Sequence, residues 1–131
     1  MGGLYVSNII KKVPNLFEKV ILLNPVVDSM ELFSDKLLMD ELWIHAKNIL
    51  SLKTHEAYQE EIGRLIVDFN PMGFVEKLKS NIIIIIQSAC DEVLEPKHAK
   101  KFYSLLKGEK RYLEILNKRH DIMGDEKELL D

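Results

Sequence analysis

Residues 81–96 read NIIIIIQSACDEVLEP: five consecutive isoleucines, Ile82 to Ile86, run into a small polar turn that contains an acid, Asp91. An apolar residue at every position, rather than at every second one, is the pattern of a strand covered on both faces within a parallel sheet. Two further stretches read as strands. KVILLNP (19–25) is a continuous apolar run of strand length stopped by Asn-Pro, and RYLEILN (111–117) alternates in the strand manner.

The segments between these runs have helical periodicity. Gly3 to about Lys12 carries Leu4, Ile9 and Ile10 on one face and gives out before Pro14. From Ser29 to Lys79 the apolar positions recur at three and four (Leu32, Phe33, Leu37, Leu38, Leu42, Ile49), a second stretch runs from Thr54 to Asp68, and NPMG (70–73) opens another short helix. Pro96 to Leu106 starts with proline in its first turn and sets Ala99, Phe102, Leu105 and Leu106 on one side. Glu126 onward begins a last helix. Strands separated by helices predict an α/β chain with a parallel sheet and crossover helices.

Composition narrows the function classes. The 131 residues, 47% hydrophobic and 30% charged, suffice for a single globular domain with one core. A net charge of −3, a pI near 5.8 and lysines interspersed with acids speak against nucleic acid as a partner. The one cysteine, Cys90, excludes an internal disulfide and a multi-cysteine metal site. No apolar run reaches the length of a membrane span, and none at the N-terminus has the core of a signal peptide. The expected location is the cytoplasm.

In parallel α/β sheets, ligand and catalytic groups stand on loops at the carboxyl ends of the strands. Asp91 comes a few residues after the isoleucine strand, and His120 a similar few after the next strand. An acid and an imidazole on adjacent loops at one sheet edge can hydrogen-bond. An acid that fixes a histidine tautomer is the orienting half of a nucleophile-base-acid triad.

With these residues in place, IIIIIQSACDEVLEPKHAKKFYSLL and then GEKRYLEILNKRHDIM resemble the C-terminal part of an α/β-hydrolase: strand seven, the loop with the catalytic Asp, a helix introduced by proline, strand eight and the catalytic His. KVILLNPVVD is similar to strand six, and residues 29–79 resemble the variable helical cap. The opening MGGLYVSNI is similar to the stretch just after the nucleophile in members whose G-x-S-x-G elbow continues S-M-G-G. The resemblance implies an incomplete α/β-hydrolase domain over residues 1–131, with strands six to eight, flanking helices and a small cap. It further implies a serine directly before Met1, a Met1 backbone N–H in the oxyanion hole, Asp91 as acid and His120 as base. The expected activity is that of a carboxylesterase or monoacylglycerol-lipase-like serine hydrolase acting on a small-molecule ester, with no metal or organic cofactor. Strands one to five would lie upstream of Met1, and the family's last helix usually runs further beyond the histidine.

Each assignment has a plainer counterpart. Asp91 also suits a turn acid at a helix start, and His120 a surface histidine beside Lys118 and Arg119. Asp28, just after strand six, is the rival acid, since some members of the family place it there. Cys90 is conceivable as a thiolate activated by His120, but a lone cysteine at a strand end is usually a small buried hydrophobe. Ser7 and the other serines lack elbow surroundings, and His45, His55 and His98 lack ligand spacing for a metal. Trp43, Met30, Met39 and Met72 either line an acyl pocket or serve as ordinary core. Two other classes are open: a non-catalytic, hydrolase-derived interaction module, and a nucleotide-binding doubly wound domain, against which the lack of a Gly-rich phosphate loop counts. With strands one to five absent, Val20 to Leu23 would have a bare edge, so a homo-oligomer or a complementary N-terminal chain is the expected partner.

Overall fold

A computed structural model describes residues 2–48, 54–78 and 82–120. Helix α1 (Gly2–Lys12) leads to strand β1 (Lys19–Leu23), and three helices come next: α2 (Ser29–Leu32), α3 (Lys36–Ala46) and α4 (His55–Phe69). A 3-10 helix (Pro71–Lys77) precedes β2 (Ile82–Ser88), α5 (Pro96–Leu105) and β3 (Glu109–Ile115). The three strands form one parallel sheet in the order β1-β2-β3, with Lys19 opposite Ile82 and Ile82 opposite Glu109.

Local chemistry sets the element ends. Asp35 caps α3, its Oδ1 accepting from the amides of Leu37 (2.8 Å) and Leu38 (3.3 Å), and Thr54 caps α4 by accepting from Ala57 at 3.2 Å. Pro96 opens α5, where its missing N–H costs no helical bond. The segment opened by NPMG is a 3-10 helix rather than the α-helix expected, interrupted at Phe74, whose φ of −135° is not helical.

One face of the sheet carries the core. Val20 and Leu22 of β1 and Ile83 and Ile85 of β2 meet Ile10 of α1, Phe74 and Val75 of the 3-10 helix, and Ala99 and Phe102 of α5. Burial of such side chains, at about 1.5–3 kcal/mol each, drives the layers together. The other face differs from the expectation of a strand covered on both sides. Among the described residues, Ile82, Ile84 and Ile86 are only half-buried, while Ile21 and Leu23 are 55% and 43% exposed. β3 also begins at Glu109, two residues ahead of the expected start, because an edge strand tolerates charged residues on its open side.

Helix α1 packs tightly on the segment after β1. A Cβ built on Gly3 would stand 2.8 Å from Pro25 Cβ, so only glycine fits at that crossing. Asn8 joins the same helix to α4 by donating to the Leu4 and Phe69 carbonyls, both at 2.9 Å. Among the described residues no helix is long and apolar enough to cross a membrane. The last helix expected from Glu126, and Met1, lie outside the described residues.

Candidate active site

The carboxyl ends of the three strands come together around Asp91. Its side chain is fully buried, in the turn after β2. One oxygen, Oδ1, accepts from the backbone amides of Val93 at 2.9 Å and Leu94 at 2.8 Å, so the turn is wrapped around the carboxylate. The other, Oδ2, accepts from Gln87 Nε2 at 3.2 Å. Burial of a carboxylate is tolerated when its lone pairs are matched in this way.

His120 completes the arrangement. Its Nδ1 lies 3.0 Å from Asp91 Oδ2 and 3.1 Å from Oδ1. A carboxylate only accepts, so a hydrogen bond here puts the hydrogen on Nδ1 and, in the neutral ring, the lone pair on Nε2. The histidine side chain is 42% exposed against 0% for Asp91, so the ring has one edge on the acid and the rest accessible. The acid thus orients the ring from one side.

The histidine loop is tied to both neighbouring strand ends. Ala89 N–H donates to the Ile115 carbonyl at 2.9 Å and Cys90 N–H to that of Lys118 at 3.2 Å. Asn24, just past β1, donates from Nδ2 to the His120 carbonyl at 2.6 Å and to Ser88 Oγ at 3.2 Å, while its Oδ1 accepts from Ser88 N–H at 2.8 Å. Asn24 has φ 37°, in the left-handed region that asparagine tolerates better than most residues. Neither Asn24 nor Gln87 stands out in the sequence as a site residue. The available signal is a polar side chain at the rim of each apolar run.

The other candidates fall elsewhere. Asp28 takes its hydrogen bond from Asn70 Nδ2 at 3.4 Å, and its ligand atom lies within 4.8 Å of those of Glu31 and His98. This trio could in principle hold a cation. Glu31 is nonetheless already paired with Lys97 at 3.3 Å and His98 at 3.4 Å, which accounts for the grouping. Cys90 is exposed, contrary to the buried small hydrophobe expected: its amide is used in tying down the histidine loop, and its side chain is left outside the core. Ser7 is buried within α1 and donates to the Gly3 carbonyl at 2.7 Å. His45 is exposed, and His55 faces Asp40 at 3.4 Å while stacking on Trp43 with ring centres 5.6 Å apart. Met39 is buried, Met72 packs against the core and Met30 is exposed. A cleft of about 590 Å³ opens between the segment after β1 and the Asp91 loop, lined in part by Val26, Asp28, Glu31, Gln87, Leu94 and His98.

Comparison with solved structures extends this geometry. A puromycin hydrolase superposes with a TM-score of 0.63 at 16% identity, over 92% of this chain and 17% of that one. The monoacylglycerol lipase of Paleococcus ferrophilus gives 0.61 at 17% identity, over 97% and 61%. The fold is that of the α/β-hydrolases. Acetyl xylan esterase 1 from Thermoanaerobacterium shares it at a TM-score of 0.51 and 13% identity, over 86% of this chain and 36% of that one. The chain thus spans about a sixth of the puromycin hydrolase and three fifths of the lipase. No family model matches the sequence, and neither does any curated protein.

Proposed function

We propose that this chain is the C-terminal part of a serine hydrolase acting on carboxylic esters and that it carries the acid and base of a Ser-His-Asp triad. The observation that carries the reading is the buried Asp91 carboxylate, matched by two backbone amides and Gln87 and set 3.0 Å from His120 Nδ1. In this reading a serine ahead of Met1 attacks the ester carbonyl, and His120 Nε2 takes its proton and returns it to the leaving alcohol. Asp91 holds the imidazole in the Nδ1–H tautomer and stabilises the imidazolium as it forms. The Met1 backbone N–H supplies one oxyanion donor.

The reading makes a sharp demand on the isolated chain. Acid and base without a nucleophile cannot form an acyl-enzyme, so the chain alone turns over no p-nitrophenyl ester and takes no fluorophosphonate label. Joined behind an N-terminal α/β-hydrolase portion that ends in a Gly-x-Ser elbow, it gains both, and His120→Ala removes the turnover. Stoichiometric labelling of any residue in the chain alone would refute the reading.

A second reading, a non-catalytic module that pairs with another chain, is favoured by one observation. β1 lies at the sheet edge with Ile21 and Leu23 exposed among the described residues.

A further inference from the structure

The Asp91–His120 contact needs the histidine backbone held in place, because a base displaced by an ångström loses its hydrogen bond to the acid. His120 comes five residues after the end of β3, and the amides of Ala89 and Cys90 pin this loop only as far as the Lys118 carbonyl. The described anchor at His120 itself is the 2.6 Å bond from Asn24 to its carbonyl. Asn24 is well suited to act as a fixed point. Its own amide donates to the Ile86 carbonyl at 2.9 Å, continuing the β1–β2 ladder past the end of β1. Its carboxamide is clamped from both sides by Ser88, through the amide to Oδ1 and through Oγ to Nδ2. The carboxamide therefore cannot rotate to track a drifting loop without breaking bonds at the end of β2.

We infer that Asn24 is a positioning residue for the base: its carboxamide, locked by Ser88, holds the His120 backbone so that Nδ1 stays on Asp91. The inference rests on the reading of Asp91 and His120 as acid and base, and adds to it the third strand of the sheet. Each strand end then contributes one member of the assembly, Asn24 from β1, Asp91 from β2 and His120 from β3.

The test reads the imidazole tautomer rather than turnover. A long-range 1H–15N correlation on the full chain, at a pH where the ring is neutral, assigns the hydrogen to Nδ1 or Nε2 from the two ring nitrogen shifts. The parent chain is expected to show Nδ1–H at His120. Asn24→Gly keeps the left-handed backbone available and removes every bond of the carboxamide, and is expected to return His120 to the Nε2–H form that free histidine favours. Amide protection of Ile82 to Ile86 serves as the check that the sheet is intact. If that variant fails to fold, Asn24→Asp keeps the acceptor for Ser88 N–H, tolerates the backbone conformation and still loses the donor to His120. Loss of Nδ1–H in a folded variant supports the clamp. Its persistence in a folded variant overturns the clamp and leaves the acid-base pair standing. A parent chain without Nδ1–H overturns both.

Discussion

Gln87 and Asp91 form a buried polar pair across the turn that ends β2: Gln87 Nε2 donates to Asp91 Oδ2 at 3.2 Å and, at the same distance, to the Leu94 carbonyl. Gln87 is 1% exposed and Asp91 5%. The amide of one side chain thus matches both the carboxylate and the far side of the turn wrapped around it. Gln87→Leu keeps the bulk and leaves these acceptors, the carboxylate among them buried, with one donor fewer. A loss of about 1–3 kcal/mol in stability is expected, measured by urea unfolding. A neutral result would mean that water reaches the turn.

Asp91 itself separates two roles that alanine would merge. Asp91→Ala removes the acceptor of the Val93 and Leu94 amides and is expected to cost about 1–3 kcal/mol. Asp91→Asn retains an acceptor oxygen for those amides but gives up the bond from Gln87, so only part of that stability should survive. It presents an N–H to the histidine, however, which favours the wrong tautomer. In an assembled enzyme kcat should fall by about 10⁴, far more than the accompanying loss of stability accounts for. A kcat loss below tenfold would refute the proposed role of Asp91 as the acid.

Tyr112 on β3 gives a pH-dependent prediction. Its hydroxyl is shielded from solvent with no hydrogen-bond partner among the described residues, and burial, helped by the charge of Glu114, pushes its pKa up from 10.0 to about 12. The folded state therefore prefers the neutral phenol more than the unfolded state does. This contribution to stability is complete below pH 10 and is lost as the pH rises towards about 12. Tyr58, raised by burial as well, acts in the same direction. Tyr112→Phe should be neutral or slightly stabilising at pH 7 and should flatten the alkaline fall in urea midpoint. An alkaline profile identical to that of the parent would show that the phenol titrates freely.

The edge of β1 predicts association. Val20 and Leu22 are buried, but Ile21 and Leu23 are open and, among the described residues, the strand has a neighbour on one side only. An apolar edge of this kind is a template for another strand. Light scattering should find a two-fold dimer or larger species, and Ile21→Lys should shift the population towards monomer. A monodisperse monomer with fully protected Val20 to Leu23 amides would contradict this.

How much of the fold and site is legible in the sequence depends on range. The β1 and β2 runs are legible because continuous apolar stretches bounded by Asn-Pro and by a polar turn leave few alternatives. The meeting of Asp91 and His120 is legible because each trails its strand by a few residues, and parallel strands bring such loops to one edge. Local pattern misjudges the start of β3, where Glu109 and Lys110 look unlike a strand but sit at a sheet edge, and the NPMG segment, where a non-helical Phe74 interrupts the turn. For Gln87 it offers only a polar side chain four residues before Asp91, and it has no access to the partners of Asn24. The bonds from Asn24 to Ser88 and His120 span 64 and 96 residues, and no window along the chain contains both ends.

Five identical side chains in β2 also bear on how the sheet finds its alignment. Sliding β2 by two residues against β1, about 6.6 Å, would still set isoleucine opposite three of the five β1 residues and keep each side chain on its own face. Apolar contact among the isoleucines therefore separates the two alignments only in part. The groups that do are at the rim, where Ser88 N–H meets Asn24 Oδ1 and Asn24 N–H meets the Ile86 carbonyl, bonds that exist in one alignment only. The isoleucines supply adhesion, and the polar residues at the strand ends supply the address.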